Sequence, residues 1–188
     1  MNYYINEDVN FMAAEIACKL YENKVVAIFN GKSEMGPRAL GNRSILVNPC
    51  WSEAKDYLNK EIKFREYWRP YAPIVADYVT GIYFENDYIS PYMSFSTKVR
   101  KEYTDKLSGI THKDRTARIQ TVSIEQNEFI FKLLCEFEKL SGFPILLNTS
   151  FNIDGQPVVE TPKDAISTFT NSKIDYLVMN EKYLVERN

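Results

Sequence analysis

The apolar residues alternate along the chain between helical and extended spacing. An apolar stripe of period 3.6 over residues 8–22 predicts an amphipathic helix. A second stripe predicts a helix that begins near Phe129 and ends at Gly142, where a left-handed cap is favourable. Two further helices are expected from capping signals, one from Ser52 to about Glu61 and one that begins with Thr161-Pro162. These segments predict helices that cover a sheet.

Extended segments lie between these helices. The short β-branched run KVVAIF and the run FPILLN predict buried strands, and residues 93–99 alternate as a half-buried strand requires. A further extended segment is expected from Thr116 to Ile124, and the tail predicts two short strands around an Asn-Glu turn. The mixture favours an α/β (α+β) layer architecture.

Composition narrows the class of protein. The chain has 188 residues, 45% of them hydrophobic, and a net charge of −2. We expect one domain over residues 1–188, without a membrane-spanning segment or signal peptide, in the cytoplasm. The slight negative charge argues against nucleic acid as a partner. Because His112 is the single histidine, no protein-held metal site is expected.

The segment FNGKSEMGPRALGNRS follows the first predicted strand and contains Gly-Lys-Ser, the end of a phosphate-binding loop. A P-loop requires a glycine five positions before Gly31, and Val26 occupies that position. What remains is a glycine- and proline-containing turn with the cations Lys32, Arg38 and Arg43, which suits a small anion. A surface turn with solvated charges is the alternative.

Three further segments concentrate polar side chains. KFREYWRPYAP interleaves Lys63 and Arg65 with aromatic rings, which permits cation–π contacts or base stacking, although such rings also pack amphipathically. In THKDRTARIQT, the alternation of Ala117 and Ile119 turns Arg118 to the opposite face, where a surface salt bridge is the alternative role. LLNTSFNIDGQP runs from a buried strand into hydroxyl and amide side chains, or into an ordinary turn. Together they supply cations, rings and neutral donors for stabilising an anion without a protein nucleophile.

The ordered motifs GKSEMGPRALGNRSIL, KFREYWRPYAP, SPYMSF, THKDRTARIQTV and LLNTSFNIDGQPVVETPKDAI resemble the C-terminal domain of the O-carbamoyltransferases, which include nodulation and antibiotic-tailoring enzymes. The similarity extends from about Val25 to Val185. It implies a YrdC-like twisted mixed sheet, flanked by helices, with a concave, positively charged cavity. It also implies binding of ATP and carbamoyl phosphate and formation of carbamoyl-adenylate with release of pyrophosphate.

The resemblance implies the following site. Arg38, Lys63 and Arg118 are expected to compensate charge in catalysis, and Asn148 and Ser150 to bind the carbamoyl amide or the nucleotide. Secondary contacts within the same motifs are expected from Glu34, Arg43, Arg65, His112 and Thr116. Mg²⁺ is expected with ATP, held mainly by phosphates and water.

Full-length members carry a longer N-terminal Kae1-like domain with a metal site, and nothing in these 188 residues corresponds to it. The sequence leaves three alternatives: an excised domain, a separate acceptor polypeptide, or a chain that has lost transfer. The expectation is therefore the adenylate-forming half-reaction, with transfer to an acceptor hydroxyl by a Kae1-like domain in trans. The alternative is a non-catalytic nucleotide-binding or regulatory module that docks to a Kae1-like partner.

Overall fold

The strands of the computed structural model, which describes residues 2–187, form one long mixed sheet and one small sheet. The strands are β1 (Asn2–Ile5), β2 (Val26–Phe29), β3 (Arg43–Val47), β4 (Ala72–Ala76), β5 (Ser96–Lys98), β6 (Thr116–Arg118), β7 (Gln120–Val122), β8 (Ile145–Ser150), β9 (Tyr176–Met179) and β10 (Tyr183–Glu186). The helices are α1 (Val9–Tyr21), α2 (Ala54–Tyr57), α3 (Thr80–Tyr83), α4 (Glu128–Ser141) and α5 (Pro162–Thr170), and a π-helical turn, Leu58–Ile62, extends α2.

The main sheet has eight strands in the order β1-β10-β9-β2-β3-β8-β4-β7, and β5 pairs with β6 apart from it. The pairs β2–β9 and β4–β7 are parallel, and the other pairs are antiparallel. The predicted α/β class and the twisted mixed sheet are thus confirmed.

Two hydrophobic cores cover the two faces of the sheet. On one face, α1 and α4 bury their apolar stripes against the strands, with Ile16 and Phe137 fully buried. On the other face, Phe169 of α5 and Leu58 after α2 are fully buried against Ala27 and Ile45. Burial of large side chains contributes about 1.5–3 kcal/mol each, so both helical layers stabilise the sheet. Within residues 2–187, no helix combines the length and apolar character needed to cross a membrane.

The long helices match the sequence predictions. Gly142 ends α4 in the left-handed conformation, with a φ of 80°. Thr161 begins α5 through a reciprocal capping box with Asp164, and Pro162 occupies the first helical turn. The predicted Ser52 cap is wrong, because α2 begins at Ala54 and the residue before it, Glu53, makes no side-chain cap.

Two predicted strands differ from the structure. The strand expected over residues 93–99 is restricted to β5, because the backbone of Met93 has a φ of 55° and the hydroxyl of Ser90 accepts a hydrogen bond from the Ser94 N–H. The segment expected from Thr116 to Ile124 is divided at Ile119, so that β6 joins the small sheet and β7 joins the main sheet.

The strand order and directions around β8 explain how segments that are distant in the sequence meet in the fold. Because β8 is antiparallel to both its neighbours, its carboxyl end lies beside the amino ends of β3 and β4, where Ser150 pairs with Ser44 and Asn148 with Ala72. The segments that precede β3, β4 and β7 and the carboxyl end of β8 with the loop after it therefore meet at one end of these strands. These parts of the chain contain the four polar segments identified in the sequence.

Candidate anion-binding site

The loop before β3 is shaped by its own polar side chains. The Glu34 carboxylate oxygen Oε1 accepts hydrogen bonds from the backbone N–H groups of Leu40, Asn42 and Arg43, at 2.7, 2.8 and 3.3 Å. These three charge-assisted hydrogen bonds fold the loop around one carboxylate. Glu34 therefore holds the loop that contains Arg38.

Arg43 is likewise used inside the fold. It is 2% exposed, and its guanidinium donates to the carbonyl oxygens of Asn30 and Gly31 at 2.7 and 3.0 Å. The guanidinium carbon also lies 3.7 Å from the centroid of the Phe29 ring. Burial lowers the pKa of Arg43 below its usual value. Arg43 is thus held by contacts within the fold.

Three other arginines line one cavity of about 150 Å³, called here the arginine cavity. Its wall contains Arg38, Arg65 and Arg118, together with Pro37, Ala39, Pro70, Tyr71, Ala72, Met93, Asn148, Thr149 and Ser150. No acidic residue is among them. Within residues 2–187, none of the three guanidinium groups forms a salt bridge to a carboxylate. The cavity therefore carries uncompensated positive charge.

Arg118 shows this lack of compensation most clearly. Its Nε is buried and has no hydrogen-bond partner among the described residues. Burial, and to a smaller extent the like charge of Arg38, lowers the pKa of Arg118 below its usual value. The surface salt bridge considered for Arg118 is not formed.

A second cavity of about 290 Å³, called the lysine cavity, shares Arg65 and Ser150 with the first and adjoins it. Lys63 lies in its wall and is 5% exposed. Its ammonium donates to the Ser150 carbonyl at 2.5 Å and to the carbonyl and Oδ1 of Asn152, both at 2.9 Å. Burial, aided by the positive charge of Arg65, lowers the pKa of Lys63 to about 7.

These hydrogen bonds give Lys63 a structural role in addition to the positive charge that it can supply. Its partner atoms belong to Ser150, the last residue of β8, and to Asn152 just after the strand, and the Ser150 hydroxyl donates to Asn152 Oδ1 at 2.7 Å in the same cluster. Lys63 therefore fixes the position of Ser150 at the junction of the two cavities. Asn152, which the sequence analysis noted without assigning it to the site, belongs to this cluster.

Arg65 is oriented by its neighbours. Its Nε donates to Asn59 Oδ1 at 2.8 Å, and its guanidinium carbon lies 4.5 Å from the Tyr71 ring centroid. The Tyr71 hydroxyl donates to the same Asn59 oxygen at 2.7 Å. Arg65 lies in the walls of both cavities. In contrast, Arg69 at the rim pairs with Glu66 at 3.0 Å.

His112 and Thr116 lie outside the walls of both cavities. The His112 Nδ1 and the Thr116 hydroxyl oxygen are 3.1 Å apart, and this hydroxyl donates to Asp114 Oδ1 at 2.7 Å. Burial lowers the pKa of His112. These side chains bind one another and shape the turn before β6, so the structure does not bring them to the cavities.

Asn148 lies in the wall of the arginine cavity as expected and is 2% exposed. Its Nδ2 donates to the Ala39 carbonyl at 3.0 Å and to Gln120 Oε1 at 2.9 Å. Gln120 is a residue that the sequence analysis missed, since one polar residue in a short strand gives no local signal. The structure thus brings together Arg38, Lys63, Arg65, Arg118, Asn148 and Ser150 from the predicted set.

Known proteins resemble this chain in sequence and in fold. A family model described as "Carbamoyltransferase C-terminus" matches residues 17–187. The chain belongs to this carbamoyltransferase family. The nodulation protein NolNO of Sinorhizobium fredii is 40% identical over 184 residues, which cover 96% of this chain and 26% of that protein. The protein MJ1058 of Methanocaldococcus jannaschii is 39% identical and matches 98% of this chain and 30% of its own length. This carbamoyltransferase C-terminal domain therefore spans less than a third of either relative.

Solved structures share the fold at low identity. A double variant of Sua5 from P. abyssi superposes with a TM-score of 0.60 at 14% identity, over 92% of this chain and 50% of that one. Full-length HypF in a phosphate- and nucleotide-bound form gives a TM-score of 0.54 at 16% identity, over 94% of this chain and 24% of that one. The YrdC-like fold inferred from the sequence is confirmed by these neighbours.

Proposed function

We propose that this carbamoyltransferase domain binds ATP and carbamoyl phosphate and forms carbamoyl-adenylate. The observation that carries the proposal is the convergence of Arg38, Arg65 and Arg118 on one cavity without an acidic residue in its wall. Like charges held together without counter-charges favour an anionic ligand, since the ligand relieves their repulsion. The nucleotide- and phosphate-bound state named for HypF, a fold neighbour, supports the same ligand class.

The two adjoining cavities suit two anions. The smaller arginine cavity, about 150 Å³, has arginines as its only charged wall residues among those described and suits carbamoyl phosphate. The larger lysine cavity, about 290 Å³, contains Lys63 and Arg65 and suits the triphosphate. Arg65 and Ser150 lie in both walls, so they are the residues we assign to the region where the two substrates meet.

The stoichiometry defines the reaction. Water cleaves carbamoyl phosphate into carbamate and orthophosphate. A carbamate oxygen then forms a bond to the α-phosphorus of ATP, the bond between the α-phosphorus and the bridging oxygen of the β-phosphate breaks, and pyrophosphate leaves, so that carbamoyl-adenylate is formed. Arg38, Arg65 and Arg118 hold the anions and compensate the charge that develops on the α-phosphate, and Asn148 and Ser150 orient the carbamoyl group. Such a reaction depends on positioning and charge compensation without a protein nucleophile.

Mg²⁺ fits this scheme as a companion of ATP. Among residues 2–187, no group of three or more His, Cys, Asp and Glu side chains is placed to hold a metal ion. Glu66 and Asp154 line the lysine cavity next to the proposed triphosphate position, and Glu66 is paired with Arg69. Magnesium commonly binds through one or two carboxylates together with phosphates and water, so Asp154 is the candidate protein ligand and the phosphates and water supply the other contacts.

We further propose that transfer of the carbamoyl group to an acceptor hydroxyl takes place on a Kae1-like domain, supplied in trans or in the same polypeptide. The length of the relatives supports this step, since about 70% of MJ1058 lies outside the matched region.

The proposal is tested by measuring pyrophosphate release from ATP and Mg²⁺ with and without carbamoyl phosphate. Carbamoyl-phosphate-dependent release supports adenylate formation. Absence of release, both with this chain alone and after addition of the N-terminal part of a relative, contradicts it. Calorimetric binding of ATP without turnover under those conditions identifies a nucleotide-binding module instead.

A further inference from the structure

Gln120, the first residue of β7, connects the loop that contains Arg38 to the centre of the sheet. Gln120 is 2% exposed, and its side-chain Nε2 donates a hydrogen bond to the Leu40 carbonyl at 2.8 Å. Its Oε1 accepts from Asn148 Nδ2 at 2.9 Å. The side chain reaches Asn148 across β4, where the residue that pairs with Asn148 is the small Ala72.

These hydrogen bonds determine which way the NH₂ group and the oxygen of the Asn148 amide face. The Leu40 and Ala39 carbonyls can only accept hydrogen bonds, so the NH₂ groups of Gln120 and Asn148 must face them. With Nδ2 committed to Ala39 and Gln120, the group that Asn148 turns elsewhere is its oxygen. Two backbone carbonyls therefore decide that Asn148 offers an acceptor and not a donor.

Two atoms in the wall residues of the arginine cavity lack partners among the described residues. They are Asn148 Oδ1, an acceptor, and Arg118 Nε, a donor, and each exposes less than 1 Å². A buried polar atom without a hydrogen bond destabilises the protein, and a ligand that supplies the bond recovers that loss on binding. A planar carbamoyl group offers both complements, an N–H for the acceptor and a C=O for the donor.

We propose that Gln120 is a positioning residue that holds the Asn148 oxygen ready to accept a hydrogen bond from the carbamoyl NH₂ group. The site thereby selects carbamoyl phosphate against acyl phosphates of the same shape and charge. Since the oxygen exposes less than 1 Å² and Asn148 lies in the cavity wall, the ligand reaches it through displacement of a neighbouring side chain. This inference rests on the proposed function for the identity of the ligand.

Acetyl phosphate is the discriminating probe, because it replaces the NH₂ group by a methyl group and leaves the phosphate unchanged. We expect the unaltered domain to bind carbamoyl phosphate at least about tenfold more tightly than acetyl phosphate by calorimetry, since binding the methyl group leaves the oxygen unpaired. Asn148→Leu should bring the ratio of the two dissociation constants to about one. Gln120→Leu should lower the ratio severalfold, and Gln126→Leu, at an exposed glutamine after β7, should leave it unchanged.

The ratio separates selectivity from general damage, because a merely structural change weakens both ligands equally. A ratio near one in the unaltered domain overturns the inference, even if a variant fails to fold. An unchanged ratio in Gln120→Leu overturns the positioning role. Selective binding without pyrophosphate release supports this inference and contradicts the proposed reaction. Failure to bind both acyl phosphates overturns the inference and the proposed function.

Discussion

Removal of Arg118 should damage turnover far more than folding. The guanidinium lines the arginine cavity, makes no salt bridge with a described residue, and has a buried Nε without a partner. Truncation to alanine therefore removes little that stabilises the folded chain, and it also relieves repulsion from Arg38. We expect the free energy of unfolding to change by less than about 1 kcal/mol.

The expected loss of activity follows from the charged hydrogen bonds that Arg118 makes with the proposed substrate. Hydrogen bonds to charged groups contribute about 1.5–3 kcal/mol. At about 1.4 kcal/mol per factor of ten, Arg118→Ala should lower kcat/KM for pyrophosphate release roughly 10- to 150-fold. The assay is a coupled pyrophosphate measurement, accompanied by urea unfolding of the same samples.

Arg100→Ala is the matched control. Arg100 is also half-buried, but its guanidinium donates to the Gly81 carbonyl at 3.0 Å, away from both cavities. This variant should lose stability and keep kcat/KM. A lowered denaturation midpoint with unchanged turnover in Arg118→Ala would refute the assignment of Arg118 to the site.

Two other changes test the surroundings of the cavities. Without ligand at pH 8, the Lys63 amine is largely neutral, because its pKa is about 7. A bound anion raises this pKa, so Lys63 should take up as much as about one proton when ATP binds. Calorimetry in buffers of different ionisation enthalpy should detect this uptake, and its persistence in Lys63→Met would contradict the assignment. Glu34→Gln should lower the free energy of unfolding by about 1–2 kcal/mol, because three backbone N–H groups lose a charged acceptor. The surface pair of Glu136 and Lys139 on α4 offers the control, since Glu136→Gln should change stability by less than about 0.5 kcal/mol in urea unfolding, and an equal effect of the two changes would count against the loop-clamping role.

The elements that could be predicted from the sequence are those with strong local signals. The apolar stripes of α1 and α4 and the capping box of α5 each lie within one segment. The strands that the sequence did not predict depend on pairing with strands that are distant in the sequence. β3 begins at a buried arginine and β4 contains Pro73, so neither has the local pattern of a strand, and both are held by pairing to β8.

The site was predictable by residue type and less so by role. Arginines and a lysine in loop segments indicated an anion site, and Arg38, Lys63, Arg65 and Arg118 do reach the cavities. Glu34 belongs to the same loop as Arg38 but is used in hydrogen bonds that only the folded loop creates.

The remaining differences have a similar origin. Arg43 enters a strand and becomes buried, and His112 binds Thr116 within a turn. The role of Gln120 depends on hydrogen bonds to Leu40 and Asn148, which are 80 and 28 residues away in the sequence. Such contacts depend on tertiary structure and leave no pattern in a short stretch of sequence.

The most direct test of the central proposal is exchange of radiolabelled pyrophosphate into ATP in the presence of Mg²⁺. Reversible formation of carbamoyl-adenylate predicts that label enters ATP when carbamoyl phosphate is present and that exchange falls strongly in Arg118→Ala. If label does not enter ATP, even with the N-terminal part of a relative added, the domain does not form the adenylate and the central claim is wrong.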